Sequence, residues 1–246
     1  MFVVFSAKID IQKNYDFIKF KTKRKNMYNK SEEIKFKSKE KLIKQEQNSL
    51  KITTIAGPMF AGKSAELIEM IARLEVANRK YICFRPESSK RKNDDTAHIT
   101  SRSKKLSVEA DFLKNEFDAD KMAETINDYD VFIFDEIHFL DLNSIKNFVQ
   151  KCIETHEKKE IIFAGLNMDF LGKKFAQFEY ACEISDKLIL LTAQCSIEGC
   201  NKRATHSAKI GGDKTKQIEA AGEDLYKACC KEHWDKINKA NGIVTK

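Results

Sequence analysis

Gly57-Pro58-Met59-Phe60-Ala61-Gly62-Lys63-Ser64 sets two glycines, a lysine and a hydroxyl at the spacing G-x-x-x-x-G-K-[ST]. Glycines so placed let a backbone wrap phosphate oxygens with its N–H groups pointing inward. A helix beginning near Lys63 adds the positive end of its dipole. Lys63 is then expected to neutralise the β and γ phosphates of ATP, and the Ser64 hydroxyl to bind Mg²⁺. Such a loop needs a second, metal-orienting carboxylate at the end of a buried strand. Val131-Phe132-Ile133-Phe134-Asp135-Glu136 supplies it, with Asp135 placed to act on Mg²⁺. Glu136 follows as the expected general base, activating water in an ATPase or taking a proton from a substrate hydroxyl in a kinase. Position alone leaves the acceptor open.

A second constellation lies near the C-terminus. Cys195 and Cys200, followed some thirty residues on by Cys230 and His233, have the spacing of a split four-ligand zinc site. Cys229 competes with Cys230 as a ligand, and incidental cysteines are the alternative reading. With all four positions filled, the expected role of such a zinc is structural. Cys83, Cys152 and Cys182 sit in apolar stretches and read as small buried hydrophobes. Seven cysteines without an export signal suggest reduced thiols rather than a disulfide framework.

These residues need elements to hold them. Leu50 to Ala56 is a short β-rich run entering the glycine turn, and Ser64 to Lys80 reads as a helix with Leu67, Ile68, Ile71, Leu74 and Val76 as its apolar positions. Strands are expected at Tyr81–Phe84, Val131–Phe134, Glu160–Gly165 and Lys187–Leu191. Helices are expected over Leu113–Tyr129, with Phe117, Met122 and Ile126 on one face, and over Ser144–Lys158. Glu87 to Lys105 reads as a long polar loop. Strands alternating with helices imply an α/β, P-loop NTPase-type, mostly parallel sheet covered on both faces.

The net charge of +7 belongs to the first fifty residues, which hold 13 basic and 6 acidic side chains; the rest carries 31 of each. The part that can build a core is neutral and lacks the basic footprint of a duplex-binding domain. No nucleic-acid partner is expected, and a zinc-ribbon binding module with a basic arm is the reading this balance disfavours. Residues 1–50 read as a weakly ordered extension, with Glu32–Gln47 able to form a solvated helix. No run of eighteen apolar residues suggests a membrane span. The apolar opening Met1–Phe5 is too short for a secretory signal, so a cytoplasmic location is the expectation.

Four ordered blocks resemble the type II thymidine kinases. Gly57 to Leu67 looks like that family's G-P-M-[FY]-[SA]-G-K-[ST]-x-E-L, and Asp135-Glu136-Ile137-His138-Phe139 resembles its D-E-x-[QH]-F. Gly165 to Phe175 is similar to its G-L-D-x-x-F-x-x-x-P-F, and Lys187-Leu188 with Leu191-Thr192-Ala193 precede the first cysteine as in the family. The resemblance covers about residues 51–235. It implies a P-loop domain over 51–191 and a small zinc-binding lasso domain over 192–246, usually assembled as a tetramer. The implied reaction moves the γ-phosphate of ATP to the 5′-hydroxyl of thymidine or deoxyuridine, with Glu136 as base and Asp135 assisting the metal. Met59, Phe170 and Phe175 match positions near the nucleobase, and Ser207 and Tyr226 match lasso positions at the thymine or its sugar. A different nucleotide kinase or an ATPase is the alternative. Departures from the pattern are Asn167 for Asp, Lys174 for Pro, Ser89 for Asp (with Arg91 kept), Ala220-Ala221-Gly222 at a Gly-rich turn, and the x4 spacing between Cys195 and Cys200.

Overall fold

The computed structural model describes residues 50–90, 97–101, 106–213 and 225–242. The N-terminal extension with its expected helix, Arg91, and Ala220 to Gly222 lie outside the described residues. In chain order the strands of the main body are β1 (Leu50–Ala56), β2 (Tyr81–Pro86), β3 (His98–Ser101), β4 (Leu106–Glu109), β5 (Asp111–Leu113), β6 (Val131–Phe134), β7 (Lys159–Gly165) and β8 (Lys187–Leu190). Its helices are α1 (Lys63–Val76), α2 (Ala123–Asp128), α3 (Leu142–Glu154) and α4 (Ala176–Ile184). Six strands form one sheet in the order β5-β2-β6-β7-β1-β8, and every pairing in it is parallel.

The apolar runs divide by strand periodicity between two cores. Val131, Ile133, Ile162 and Ala164 face α1, where Leu67, Ile68, Ile71 and Leu74 are buried. Phe132, Phe134, Ile161 and Phe163 face the other side, packed with Ile145, Phe148 and Val149 of α3 and Ala181 of α4. Alternation within a fully apolar strand thus serves two faces at once, as a sheet covered on both sides demands. On the α3 side the filling is aromatic: the Phe148 ring lies edge-on to Phe132 and Phe134, each at 5.2 Å between centroids, and to Phe117 at 6.3 Å.

Several expected elements differ. α1 ends at Val76, whose side chain is 87% exposed rather than buried. It lies off the stripe formed by Leu67, Ile71 and Leu74, and Asn78 then turns left-handed (φ 51°) while Arg79 N–H caps the Leu74 carbonyl. The expected helix over Leu113–Tyr129 is helical only over Ala123–Asp128. Leu113 closes strand β5, and Asp118 accepts from the Asp120 N–H in a local turn. Phe117, Met122 and Ile126 are nonetheless all buried. The long polar loop contains β3, which pairs antiparallel with β4 and inserts Ile99 beneath α1. α3 begins at Leu142, two residues early, because Asp141 caps it by accepting from the Ser144 N–H at 2.8 Å. α4 was not foreseen.

Beyond the sheet, β9 (Ala193–Gln194) pairs antiparallel with β10 (Arg203–Ala204), and β11 (His206–Lys209) with β12 (Tyr226–Cys229), ahead of α5 (Lys231–Ala240). A separate small core of Ala208, Cys229 and Trp234, flanked by Ile197 and Ile237, holds these pieces together.

Because Phe148 joins three other rings, truncating it leaves a cavity that no neighbour can fill. Phe148→Ala is expected to destabilise the fold by about 3–5 kcal/mol, read as a lower urea midpoint with an unchanged slope.

Candidate active site and metal cluster

The phosphate loop follows β1 directly. A Cβ on Gly57 would come within 2.4 Å of the Leu191 carbonyl, so only glycine lets the loop pass the chain leaving β8. Gly62 precedes α1 with φ +85°, a left-handed conformation that presents the helix N-terminus to the loop. Lys63 is buried, and its ammonium donates to the carbonyls of Pro58 (2.8 Å) and Gly57 (3.2 Å). Burial lowers its pKa, and the carboxylates of Glu136 and Asp135 pull it back up. The lysine is thus held inside the ring of the loop, facing the acidic pair.

Asp135 and Glu136 stand at the end of β6. The Asp135 N–H still pairs with the Phe84 carbonyl of β2. Its carboxylate is buried, and burial followed by the neighbouring Glu136 charge lifts its pKa to about 7, against the pull of Lys63, Arg85 and the Glu136 N–H. Glu136 adopts a left-handed conformation (φ 54°) before the single 3₁₀ turn Ile137–Phe139. This turns its side chain, 29% exposed, out of the core beside Asp135. A buried carboxylate raised in this way is the donor a divalent cation would stabilise, so Asp135 and the Ser64 hydroxyl fit Mg²⁺ by chemistry.

His138 was quoted in the sequence without a role. It is 3% exposed, accepts from the Leu166 N–H through Nδ1 at 3.3 Å, and lies against the rings of Phe139 and Phe175. Glu136 Oε2 is 3.6 Å from the same nitrogen. Burial lowers the His138 pKa to about 4. With Nδ1 accepting and the ring neutral, that contact is no ion pair near neutrality. Arg85 was likewise missed: its guanidinium donates to the carbonyls of His98 (2.9 Å) and Ser89 (3.0 Å), tying β3 to the turn after β2. Arg85 has no spacing that marks it in the sequence, whereas His138 stands at the [QH] position of the D-E-x-[QH]-F block.

The expected nucleoside residues come from both parts of the molecule, and all but Met59 are buried. Ser207 on β11 accepts from the Met59 N–H at 2.9 Å, joining the phosphate loop to the C-terminal unit. Phe175 precedes α4 and packs on His138. The Phe170 carbonyl accepts from Trp234 Nε1 (2.9 Å) and Asn238 Nδ2 (3.2 Å) of α5. Asp169 shapes that loop by accepting from the N–H groups of Leu171 (2.9 Å) and Lys173 (2.8 Å), a turn that the Asp-x-x-Gly pattern at Asp169 to Gly172 could have signalled. Lys174, in place of proline, pairs with Met168 in a β-bridge. Asn167 buries an amide oxygen with no hydrogen-bond partner.

The four candidate metal ligands meet. The ligand atoms of Cys195, Cys200, Cys230 and His233 lie within 4.8 Å of one another, and His233 Nδ1 is 3.5 Å from Cys195 Sγ and 3.4 Å from Cys230 Sγ. Sulfurs around a tetrahedral zinc sit about 3.8 Å apart, so the donor set could hold that ion. Burial pushes the Cys195 thiol up, but the Cys230 and Ile197 N–H groups, followed by His233 and Cys200, outweigh it and bring it to about 6. Cys229 packs in the small core beside Ala208 and Trp234, and burial, reinforced by the neighbouring Cys195 and Cys230, raises its pKa to about 11. Cys230, which follows β12 at the start of α5, is the one of the pair whose sulfur joins the cluster.

The thymidine kinase family model matches residues 50–234. The chain belongs to the thymidine kinase family. The thymidine kinase of Pyrobaculum aerophilum is 30% identical over 191 residues, covering 74% of this chain and 97% of that protein. That of Choristoneura fumiferana entomopoxvirus is 30% identical over 192 residues, covering 78% of this chain and 100% of its own. That of Thermococcus kodakarensis is 30% identical over 191 residues, at 74% and 92%. This member of the family is a kinase that uses ATP and acts on a nucleoside. Among the described residues no helix is long and apolar enough to cross a membrane.

A neutral buried His138 has a linkage consequence. Its folded pKa of about 4 lies below the ordinary 6.5, so its contribution to stability is complete above 6.5 and is lost as pH falls toward 4. Asp135, with a raised pKa, acts with the opposite sign between about 4 and 7. Denaturation of the unaltered kinase and of His138→Gln at pH 7, 6 and 5 should show the acid-side loss reduced in the variant.

Proposed function

We propose that this kinase transfers the γ-phosphate of ATP to the 5′-hydroxyl of thymidine or deoxyuridine, with Glu136 as general base. The observation that carries the reading is the pairing at the end of β6. Asp135 is buried toward Lys63, while Glu136 is turned left-handed toward the outside. In the reaction the Glu136 carboxylate takes the 5′-hydroxyl proton, the freed oxygen attacks the γ-phosphorus, and ADP leaves. The backbone of Gly57 to Gly62, with Pro58, Met59, Phe60 and Ala61 between, cradles the phosphates. Lys63 swings from two carbonyls to phosphate oxygens. Ser64 and Asp135 would hold Mg²⁺, which when bound draws charge from the β and γ phosphates. Met59, Phe170, Phe175, Ser207 and Tyr226 hold the nucleoside, a neutral base suited to aromatic walls and few hydrogen bonds.

The same reading divides the chain into an extension (1–50), a kinase domain (51–191) and a lasso domain (192–246) stabilised by zinc on Cys195, Cys200, Cys230 and His233. It includes a homotetramer, a cytoplasmic location, a place in nucleoside salvage for DNA synthesis, and neither nucleic acid nor membrane as partner. The family relationship and the four-ligand cluster support it.

With ATP, Mg²⁺ and a panel of nucleosides, a coupled assay should show turnover with thymidine or deoxyuridine and little without nucleoside; turnover indifferent to nucleoside would return an ATPase. Glu136→Gln should lower kcat by about 10²–10⁴-fold with ATP affinity retained. Parallel loss of ATP affinity would contradict its role as base. Elemental analysis should find about one zinc per chain, lost in Cys230→Ser and kept in Cys229→Ser.

A further inference from the structure

Lys209 ends β11 with 0% of its surface exposed, although lysine carries a compact, strongly hydrated charge and is almost never fully buried unless paired. Its ammonium donates to the Asp213 carbonyl at 2.6 Å, and its own carbonyl accepts from Asn241 Nδ2 at 3.0 Å. Nζ also lies 5.2 Å from the centre of the Phe170 ring and 5.7 Å from that of Tyr226, both within cation–π reach. Phe170 belongs to the loop after β7; Tyr226 belongs to β12, where it is the register partner of Lys209. Lys209 shares its strand face with Ser207, the residue bonded to the phosphate loop. One buried cation therefore touches a ring from each part of the molecule.

We propose that Lys209 is a positioning residue for the nucleoside, its charge holding the rings of Phe170 and Tyr226 in the relative placement that receives the base. This rests on the reading of those two rings as nucleobase contacts. The attraction depends on positive charge over the ring faces, so an arginine preserves it and a methionine of similar length does not. A lysine that only filled space would tolerate methionine without effect on substrate.

The test uses full-length, zinc-replete protein carrying Lys209→Met or Lys209→Arg, with thymidine varied at saturating ATP and ATP varied at saturating thymidine. Lys209→Met should raise the thymidine KM at least tenfold with the ATP KM within twofold and zinc content unchanged, while Lys209→Arg stays within threefold for thymidine. An unchanged thymidine KM in Lys209→Met overturns the proposal, as does an equal rise in both variants, which would mark shape rather than charge. If Lys209→Met does not fold, Lys209→Gln carries the same test, and a thymidine KM equal to that of the unaltered kinase overturns it. Thymidine turnover by the unaltered kinase separates the failures. Its absence sinks the proposed function and this inference together; its presence beside an indifferent Lys209→Met sinks this inference alone.

Discussion

Parallel hydrogen bonding across six strands forces every C-terminal strand end to one edge of the sheet, and the site depends on that constraint. The phosphate loop leaves β1, Asp135 and Glu136 leave β6, the Leu166–Phe175 loop leaves β7, and Leu191 leaves β8. Parallel strands run side by side only if crossovers cover the faces, so the two apolar cores and the shared edge are one geometric fact. The aromatic filling on the α3 side fixes β6 against β7, and with it the carboxylates against the loop that carries Phe170. Gly57 shows how tight the edge is: the loop passes the Leu191 carbonyl where no side chain fits.

The electrostatics of that edge follow from burial. Lys63 is disfavoured as a cation and Asp135 as an anion, yet each relieves the other, and Glu136 reinforces Lys63 while opposing Asp135. His138 keeps its own charge out of this balance by remaining neutral, with its Nδ1 lone pair engaged by the Leu166 N–H.

The C-terminal unit has a small apolar core of its own. Among the described residues it consists of Ala208, Cys229 and Trp234 with Ile197 and Ile237 packed against them, and the Cys195–Cys200 turn meets α5 at the ligand cluster. Small folds of this kind ordinarily rely on a metal or disulfides. Among the described residues, contacts of Met59 with Ser207, of Phe170 with Trp234 and Asn238, and of Lys209 with the Phe170 ring join it to the kinase body. The residues proposed to hold the nucleoside lie where the two units meet.

Much of this was legible in the sequence because it rests on local rules. The glycine spacing before Lys63, the apolar run ending in Asp135-Glu136, and the paired Cys and His ligands each specify chemistry within a few residues, and uninterrupted apolar strands alternating with helices pointed to a sheet buried on both faces. Helix limits were less legible where a turn interrupts an apolar stripe, as at Phe117, or where it lapses, as at Val76. Only the tertiary structure shows Cys229 packed in the small core and Cys230 in the ligand cluster. It also decided the neutrality of His138, the tie from Ser207 to Met59, and the burial of Lys209. Those depend on which surfaces meet, and a lysine in a polar strand carries no mark of the rings that will close over it.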